Sequence, residues 1–312
     1  MKKIVITGGA GFIGGHIAEE ASKRGHEVLL FDNLSTGSMK NVSRLKKCCS
    51  FFKGDIMNTG ALRKAFRGAD TVFHLAARIS VAESMNRENE YVLTNSVGTL
   101  NVLAACRACG VKNTVLSSSA AIYGDNPVIP KTEKMLPEPK SPYAVTKLDG
   151  EYYFSMYKRE YGINAVVLRY FNVYGPGQNP KSQYAAAIPI FIENAVKGRD
   201  IIIYGDGEQT RDFVYVKDIV QANFLAAEKG GDLYNVSNSS RITINEIARN
   251  IIELTGSSSR IVHEKERPGD IKHSMGDNSK IRNELGFSVS YNLHEGLKHT
   301  VAYFLELKNN KL

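Results

Sequence analysis

Lys3-Ile4-Val5-Ile6-Thr7 reads as a short β-branched strand that runs straight into Gly8-Gly9-Ala10-Gly11-Phe12-Ile13-Gly14, and a helical pattern begins near Phe12. Gly8, Gly11 and Gly14 stand at the spacing G-x-x-G-x-x-G. Between a strand and a helix, glycine at these positions lets the backbone turn tightly and approach a pyrophosphate, whose charge then rests at the helix N-terminus. Asp32 closes a second strand about 20 residues further on, where a carboxylate can accept from adenosine ribose hydroxyls. Its charge repels a 2′-phosphate, so the pattern predicts NAD rather than NADP. The plain alternative is a tight turn without a ligand.

The rest of the first half alternates β-branched runs with helical stretches, which predicts βαβ units and a parallel sheet. Strands are expected at Lys3 to Thr7, Glu27 to Phe31, Phe51 to Lys53, Thr71 to Leu75, Asn113 to Ser117 and Ala165 to Arg169, with helices starting near Phe12, Ala61, Asn89 and Tyr143. This is an α/β, Rossmann-type, doubly wound parallel sheet. Asp55-Ile56 and Leu75-Ala76-Ala77 fall at strand carboxyl ends, the edge where such sheets bind ligands. After Tyr174-Gly175-Pro176-Gly177 the rhythm changes. Residues 1–174 are therefore expected to form the dinucleotide-binding domain and residues 175–312 a smaller α/β substrate domain, with segments near 205–236 returning to the first.

Composition narrows the functional classes. With 312 residues, 43% hydrophobic and 23% charged, the chain has the make-up of a soluble globular protein. No stretch approaches the roughly 18 apolar residues of a membrane span. The start is too short in apolar residues for a signal peptide, and a cytoplasmic protein is expected. Cys106-Arg-Ala-Cys109 lies within a helical run with no second pair of ligands, so structural thiols are expected and no metal. The net charge of +8 is spread among Asp and Glu rather than gathered in a stripe, which disfavours nucleic acid and suits a phosphate-bearing small substrate.

In Ser141-Pro142-Tyr143-Ala144-Val145-Thr146-Lys147, Pro142 suits a first helical turn, and Tyr143 and Lys147 become i, i+4 neighbours. To serve as a base near neutrality a phenol must lose roughly 3 units of pKa, about 4 kcal/mol. One cation at about 6 Å supplies on the order of 2 to 3 kcal/mol at an effective dielectric near 20. A second cation is wanted, and an oxidised nicotinamide provides it. Alone, the pair is also what an ordinary solvated helix face carries.

Thr7-Gly8-Gly9-Ala10-Gly11-Phe12-Ile13-Gly14, Phe31-Asp32-Asn33-Leu34, His74-Leu75-Ala76-Ala77, Ser117-Ser118-Ser119, Tyr143-x-x-x-Lys147 and Arg169-Tyr170-Phe171-Asn172 occur in the order of the extended short-chain dehydrogenase/reductases. Over nearly its whole length the chain resembles their nucleotide-sugar 4-epimerases, of the UDP-glucose or UDP-N-acetylglucosamine type. The resemblance implies Tyr143 as the base at the sugar 4-hydroxyl, Ser119 relaying that proton, and Lys147 holding the nicotinamide ribose. It implies a cofactor site from Gly8, Gly11, Phe12, Ile13, Gly14, Asp32, Asn33, Thr36, Gly37, Asp55, Ile56, Leu75, Ala76, Ala77, Arg78, Asn95, Ser117 and Tyr170, besides Tyr143 and Lys147. For a UDP-hexose it implies Asn172, Arg211, Arg267, Asp270 and Ser274, with Ser119 and Tyr143 at the sugar. Arg suits a diphosphate because its planar fork bonds in pairs. A loop charge pair is the plain alternative for Arg211 and Asp212.

Two departures sharpen the resemblance. Related 4,6-dehydratases carry Asp-Glu after the hydroxyl residue and UDP-glucuronate decarboxylases keep a Glu, whereas Ala120 and Ala121 stand here and can move no proton. Ser274 stands where strict UDP-glucose/galactose epimerases have Tyr, which leaves room for a 2-acetamido group. The resemblance also implies a homodimer in which Asn89 to Cys109 and Tyr143 to Tyr161 pair with their copies in a four-helix bundle. The competing readings are a UDP-glucuronate 4-epimerase, with Arg78 or Lys272 meeting the carboxylate, a dehydrogenase releasing NADH, and a non-catalytic nucleotide sensor.

Overall fold

The computed structural model describes residues 2–180, 187–266 and 272–309. Its strands are β1 (Lys3–Thr7), β2 (Glu27–Asp32), β3 (Ser50–Lys53), β4 (Thr71–His74), β5 (Asn113–Ser119), β6 (Asn164–Tyr170), β7 (Asn172–Tyr174), β8 (Ile201–Tyr204), β9 (Thr210–Arg211), β10 (Phe213–Tyr215), β11 (Leu233–Val236), β12 (Ile242–Thr243) and β13 (Ile261–Glu264). Seven of them make one parallel sheet in the order β11-β6-β5-β4-β1-β2-β3. Every residue of β4 is buried, as are all but the first of β1 and of β6. Strands covered on both faces by crossover helices need such unbroken apolar runs.

The cover is two-sided. The Phe12–Lys23 and Val216–Lys229 helices give one face a core that includes Ile17, Ile219 and Phe224. The Thr59–Phe66, Gly98–Cys109 and Pro142–Tyr161 helices give the other face Leu62, Val102 and Phe154. A third apolar cluster gathers the Ala187–Val196, Ile244–Thr255 and Leu293–Asn309 helices through Ile188, Ile251 and Val301. The six strands read from sequence are all present, with ends shifted by a residue or two. The seventh, β11, pairs with β6 and adds residues 233–236 to that sheet.

One element departs from expectation. The helix anticipated from Asn89 is α-helical over Glu88–Tyr91, widens to a π-helix over Val92–Val97, and resumes as an α-helix over Gly98–Cys109. A π-turn inserts a residue and re-aims the side chains around it. Gly98 follows directly: a Cβ there would lie 2.5 Å from Ile56 Cδ1, so glycine lets the helix lie close to the β3 exit without moving Ile56.

Candidate active site

The order of strands reverses between β1 and β4, and their diverging carboxyl ends open a crevice. Gly8 stands there with φ +71°, and a Cβ on it would sit 2.8 Å from Ala76 N. A Cβ on Gly14 would lie 2.4 Å from Gly8 O, so glycine lets the Phe12–Lys23 helix press onto the strand exit. That helix has Gly11 as N-cap, no capping side chain and no acidic residue in its first turn. Its amide dipoles meet no built-in anion, the arrangement that suits a bound diphosphate. Phe12 and Ile13 form the first turn, and Leu75, Ala76 and Ala77 line the opposite wall, half-buried.

Asp32, at the end of β2, is buried and accepts from Ala10 N at 3.0 Å and Leu34 N at 2.7 Å. A Cβ on Gly37 would lie 2.9 Å from Asp32 Oδ1, so the 33–38 loop closes tightly over the carboxylate with Thr36 exposed. Two amides leave a carboxylate with further lone pairs for hydroxyl donors. Beside it Asn33 Nδ2 donates to Asp55 Oδ2 at 2.9 Å, tying the exits of β2 and β3 together, while Ile56 is buried beneath them. These residues fit an adenosine diphosphate.

Ser141 caps the Pro142–Tyr161 helix, accepting from Ala144 N at 3.2 Å, and Pro142 opens its first turn. Tyr143 and Lys147 are both buried, and Lys147 Nζ lies 5.9 Å from the Tyr143 ring centre, the separation expected of i, i+4 neighbours here. The Ser119 hydroxyl lies beside the Tyr143 phenol and accepts from Ala121 N at 3.1 Å. Burial pushes the phenol up, and the nearby Ser119 hydroxyl opposes this. Burial pulls Lys147 down to about 8, opposed by the Glu151 charge one turn on. Lys147 therefore remains cationic at neutral pH, donating to Ser117 O at 2.8 Å. Tyr170 lies beside Ser119 in the β5–β6 register and accepts from Asn223 at 2.7 Å.

Around this centre stand residues that the sequence reading missed. Glu151 and Arg169 are each only 4% exposed, and Arg169 Nη2 donates to Glu151 Oε2 at 2.6 Å. Ser118 donates to Glu151 Oε1 at 2.5 Å, and Arg169 Nη1 donates to Tyr123 OH at 2.8 Å, so the network ties the helix to β5 and β6. The available signal was spacing: Tyr143, Lys147 and Glu151 share one face at intervals of four, so a second charge had to be buried with the first. His74 bonds Thr7 and Thr99 and is pulled down to about 3 by burial and then by Lys147, so it is neutral.

Asn95, on the π-turn, is buried and has a bracing position. It accepts from Arg78 N at 2.8 Å and donates to Arg78 O and Thr146 Oγ1, each at 3.0 Å, joining the β4 exit to the helix of Tyr143. The Arg78 guanidinium pairs with Glu83 at 3.7 Å and with Glu90. Tyr91 sits edge-on to Tyr143 at 6.5 Å and donates to Glu83 at 2.9 Å.

Of the residues expected at a substrate, Asn172 is exposed at the start of β7, past the sheet edge that carries Ser119. Arg211 Nη1 donates to Thr210 O at 3.0 Å and reaches Lys272 O at 3.5 Å. Ser274 N donates to Thr210 O at 3.1 Å, bringing its segment beside Arg211. Arg267 and Asp270 lie outside the described residues. The Asp212 carboxylate is engaged by backbone amides at Asn238 and Gly276, which a simple loop charge pair with Arg211 did not anticipate.

Residues 4–237 match the model of the NAD dependent epimerase/dehydratase family. A UDP-glucose 4-epimerase of Thermotoga maritima, solved with UDP-glucose, is 39% identical with a TM-score of 0.94, covering 98% of this chain and 99% of that one. A UDP-N-acetylglucosamine 4-epimerase of Methanobrevibacter ruminantium, in complex with UDP-N-acetylmuramic acid, has the same identity, coverage and TM-score. A UDP-N-acetyl-alpha-D-glucosaminuronate decarboxylase of Bacillus cytotoxicus is 35% identical over 99% of this chain and 99% of its own length. With its glycine loop at the sheet reversal and Tyr143, Ser119 and Lys147 gathered beside it, the chain belongs to the NAD dependent epimerase/dehydratase family.

Proposed function

We propose that this protein is a UDP-sugar 4-epimerase acting on UDP-glucose/UDP-galactose and on UDP-N-acetylglucosamine/UDP-N-acetylgalactosamine. The observation that carries the reading is the buried Tyr143 phenol, beside the Ser119 hydroxyl and with the Lys147 cation 5.9 Å from its ring centre. Tyr143 takes the proton of the sugar 4-hydroxyl through or beside Ser119, while Lys147 favours the phenolate and holds the nicotinamide ribose. The glycine loop, Asp32 and the Asn33–Asp55 rim would hold NAD, which when bound would supply hydride transfer to and from the sugar C4. Tyr143 gives the proton back. Burial raises the phenol, and the positive nicotinamide of bound NAD would add to Lys147 in lowering it.

Ala120 and Ala121 support epimerisation over dehydration or decarboxylation, because the turn after Ser119 then offers methyl groups in place of an acid and a base. Arg78 is paired with Glu83 and Glu90, which favours a neutral hexose over UDP-glucuronate, whose carboxylate would meet two acidic neighbours. Asn172, Arg211 and the undescribed Arg267 and Asp270 hold the UDP, and the small Ser274 leaves space for an acetamido group. Residues 1–174, with segments near 205–236, form the cofactor domain, and the remainder of 175–312 the substrate domain.

Incubating the purified protein with UDP-glucose or UDP-N-acetylglucosamine and resolving the products by NMR tests the reading. Epimers of both are expected, and Ser274→Tyr is expected to lose the acetylated reaction while keeping the plain one. If neither protein epimerises an N-acetyl sugar, the argument from Ser274 is wrong. A homodimer through the helices at Glu88–Cys109 and Pro142–Tyr161 is supported by exposed Val92, Leu93, Val145 and Tyr152, the last 62% exposed. A single monomeric species in sedimentation would contradict it.

A further inference from the structure

The three described substrate candidates come from separate stretches of chain, yet each is tied to Asp212. This residue, between β9 and β10, has no exposed surface. Its Oδ1 accepts from Asn238 N at 2.8 Å and its Oδ2 from Gly276 N at 3.1 Å. The amides of Ser239 and Ser240 also turn toward it. That nest requires Ser239 in the left-handed region at φ 51°, a conformation a serine seldom adopts without a compensating contact. The main chain of Asp212 adds another tie, its carbonyl accepting from Asn172 N at 3.1 Å.

Gly276 belongs to a strap, residues 272–278, that carries Ser274 and touches Arg211. The strap is held at Thr210 O by Ser274 N (3.1 Å), at Lys131 N by Met275 O (2.8 Å) and at Lys131 O by Asp277 N (2.8 Å). Ser239 Oγ donates to Gly276 O at 2.9 Å and accepts from Asn278 N at 3.1 Å. Within this frame only a carboxylate can collect amides from both the 238–240 turn and the strap. An asparagine would turn an NH2 toward an N–H. Burial pushes the Asp212 carboxyl up to about 7, so the fold keeps an acceptor there against a desolvation cost.

We infer that Asp212 is a positioning residue for the substrate half of the site, fixing the spacing of Asn172 and Arg211 at the diphosphate of a nucleoside diphosphate sugar and of the Ser274 strap at its sugar. The inference rests on the UDP-sugar reading above. It separates binding from chemistry, because Asp212 bonds Asn172 N and, through Gly276 N, the strap of Ser274, and no bond joins it to Ser119, Tyr143 or Lys147 among the described residues.

The test uses the purified protein with its bound cofactor and UDP itself as titrant in calorimetry, alongside steady-state turnover of a UDP-hexose. Asp212→Asn is expected to weaken UDP binding and raise KM by about tenfold, the scale of a lost charge-assisted bond, with kcat changed less than about twofold. Ser239→Ala, which loosens the same strap without altering the carboxylate, is expected to shift both in the same direction by about threefold and covers the case in which Asp212→Asn does not fold. UDP affinity and KM at wild-type values in the folded variants, or kcat falling with KM unchanged, overturns the inference. Wild-type protein that binds no UDP overturns the parent reading and this inference with it.

Discussion

Tyr143→Phe is expected to lower turnover by about 10²-fold or more, the scale of losing a positioned general base, while the protein folds and retains NAD. The ring survives the change, so its edge-on contact with Tyr91 and its place in the buried first turn are kept. What disappears is the hydroxyl beside Ser119, the oxygen that takes up the sugar proton. Circular dichroism and cofactor content check the first half of this expectation, and the initial rate of epimerisation checks the second. Activity near wild type in a folded, NAD-loaded variant would remove Tyr143 from the centre of the reaction.

The second large effect is on stability. Glu151→Ala leaves the Arg169 guanidinium buried beside Tyr123 with no counter-charge and takes the acceptor from Ser118. Breaking a buried pair from one side costs about 3 to 5 kcal/mol, a large part of a typical total of roughly 5 to 15. Denaturant unfolding measures it. Replacing both partners by apolar residues, as in Glu151→Met with Arg169→Leu, is expected to recover most of that loss, since uncompensated charge and not lost attraction is the main cost.

The double variant also removes the Glu151 charge that acts on Lys147. That charge opposes the burial that pulls Lys147 down to about 8, so removing it moves that pKa lower still. The lysine is cationic below its pKa, and activity that needs the cation is lost as pH rises through that value. The alkaline limb of the rate profile should therefore begin at lower pH in the double variant than in wild type. An unmoved limb would reduce Glu151 to a packing role.

The first half of the fold was legible because parallel strands covered on both faces leave continuous apolar runs, as in Val5 and Ile6 or Val166 to Leu168, and because Gly8 and Gly14 are forced by contacts that any Cβ would break. The π-turn left no comparable mark. Val92 to Val97 contains neither glycine nor proline, and the extra residue is offset by contacts made by Asn95 to Arg78 and Thr146, which are set by packing between elements. The four residues of β11 were too few to show a period, and their place beside β6 depends on the helix over Val216–Lys229 crossing the sheet. Asp212 illustrates the same limit. Beside Arg211 in sequence it resembles half of a loop ion pair, yet its partners lie 26 and 64 residues away. Glu151 was within reach, since its spacing from Tyr143 and Lys147 is local.

The most direct test of the central claim is to incubate the protein, as purified and with no NAD added, with UDP-glucose and with UDP-N-acetylglucosamine, following absorbance for NADH while NMR resolves the sugars. The account predicts UDP-galactose and UDP-N-acetylgalactosamine in many-fold excess over enzyme, with no steady rise of NADH, because the hydride taken from C4 is returned to it. NADH accumulating in step with an oxidised sugar, or no C4 epimer from either substrate with NAD supplied, would contradict it.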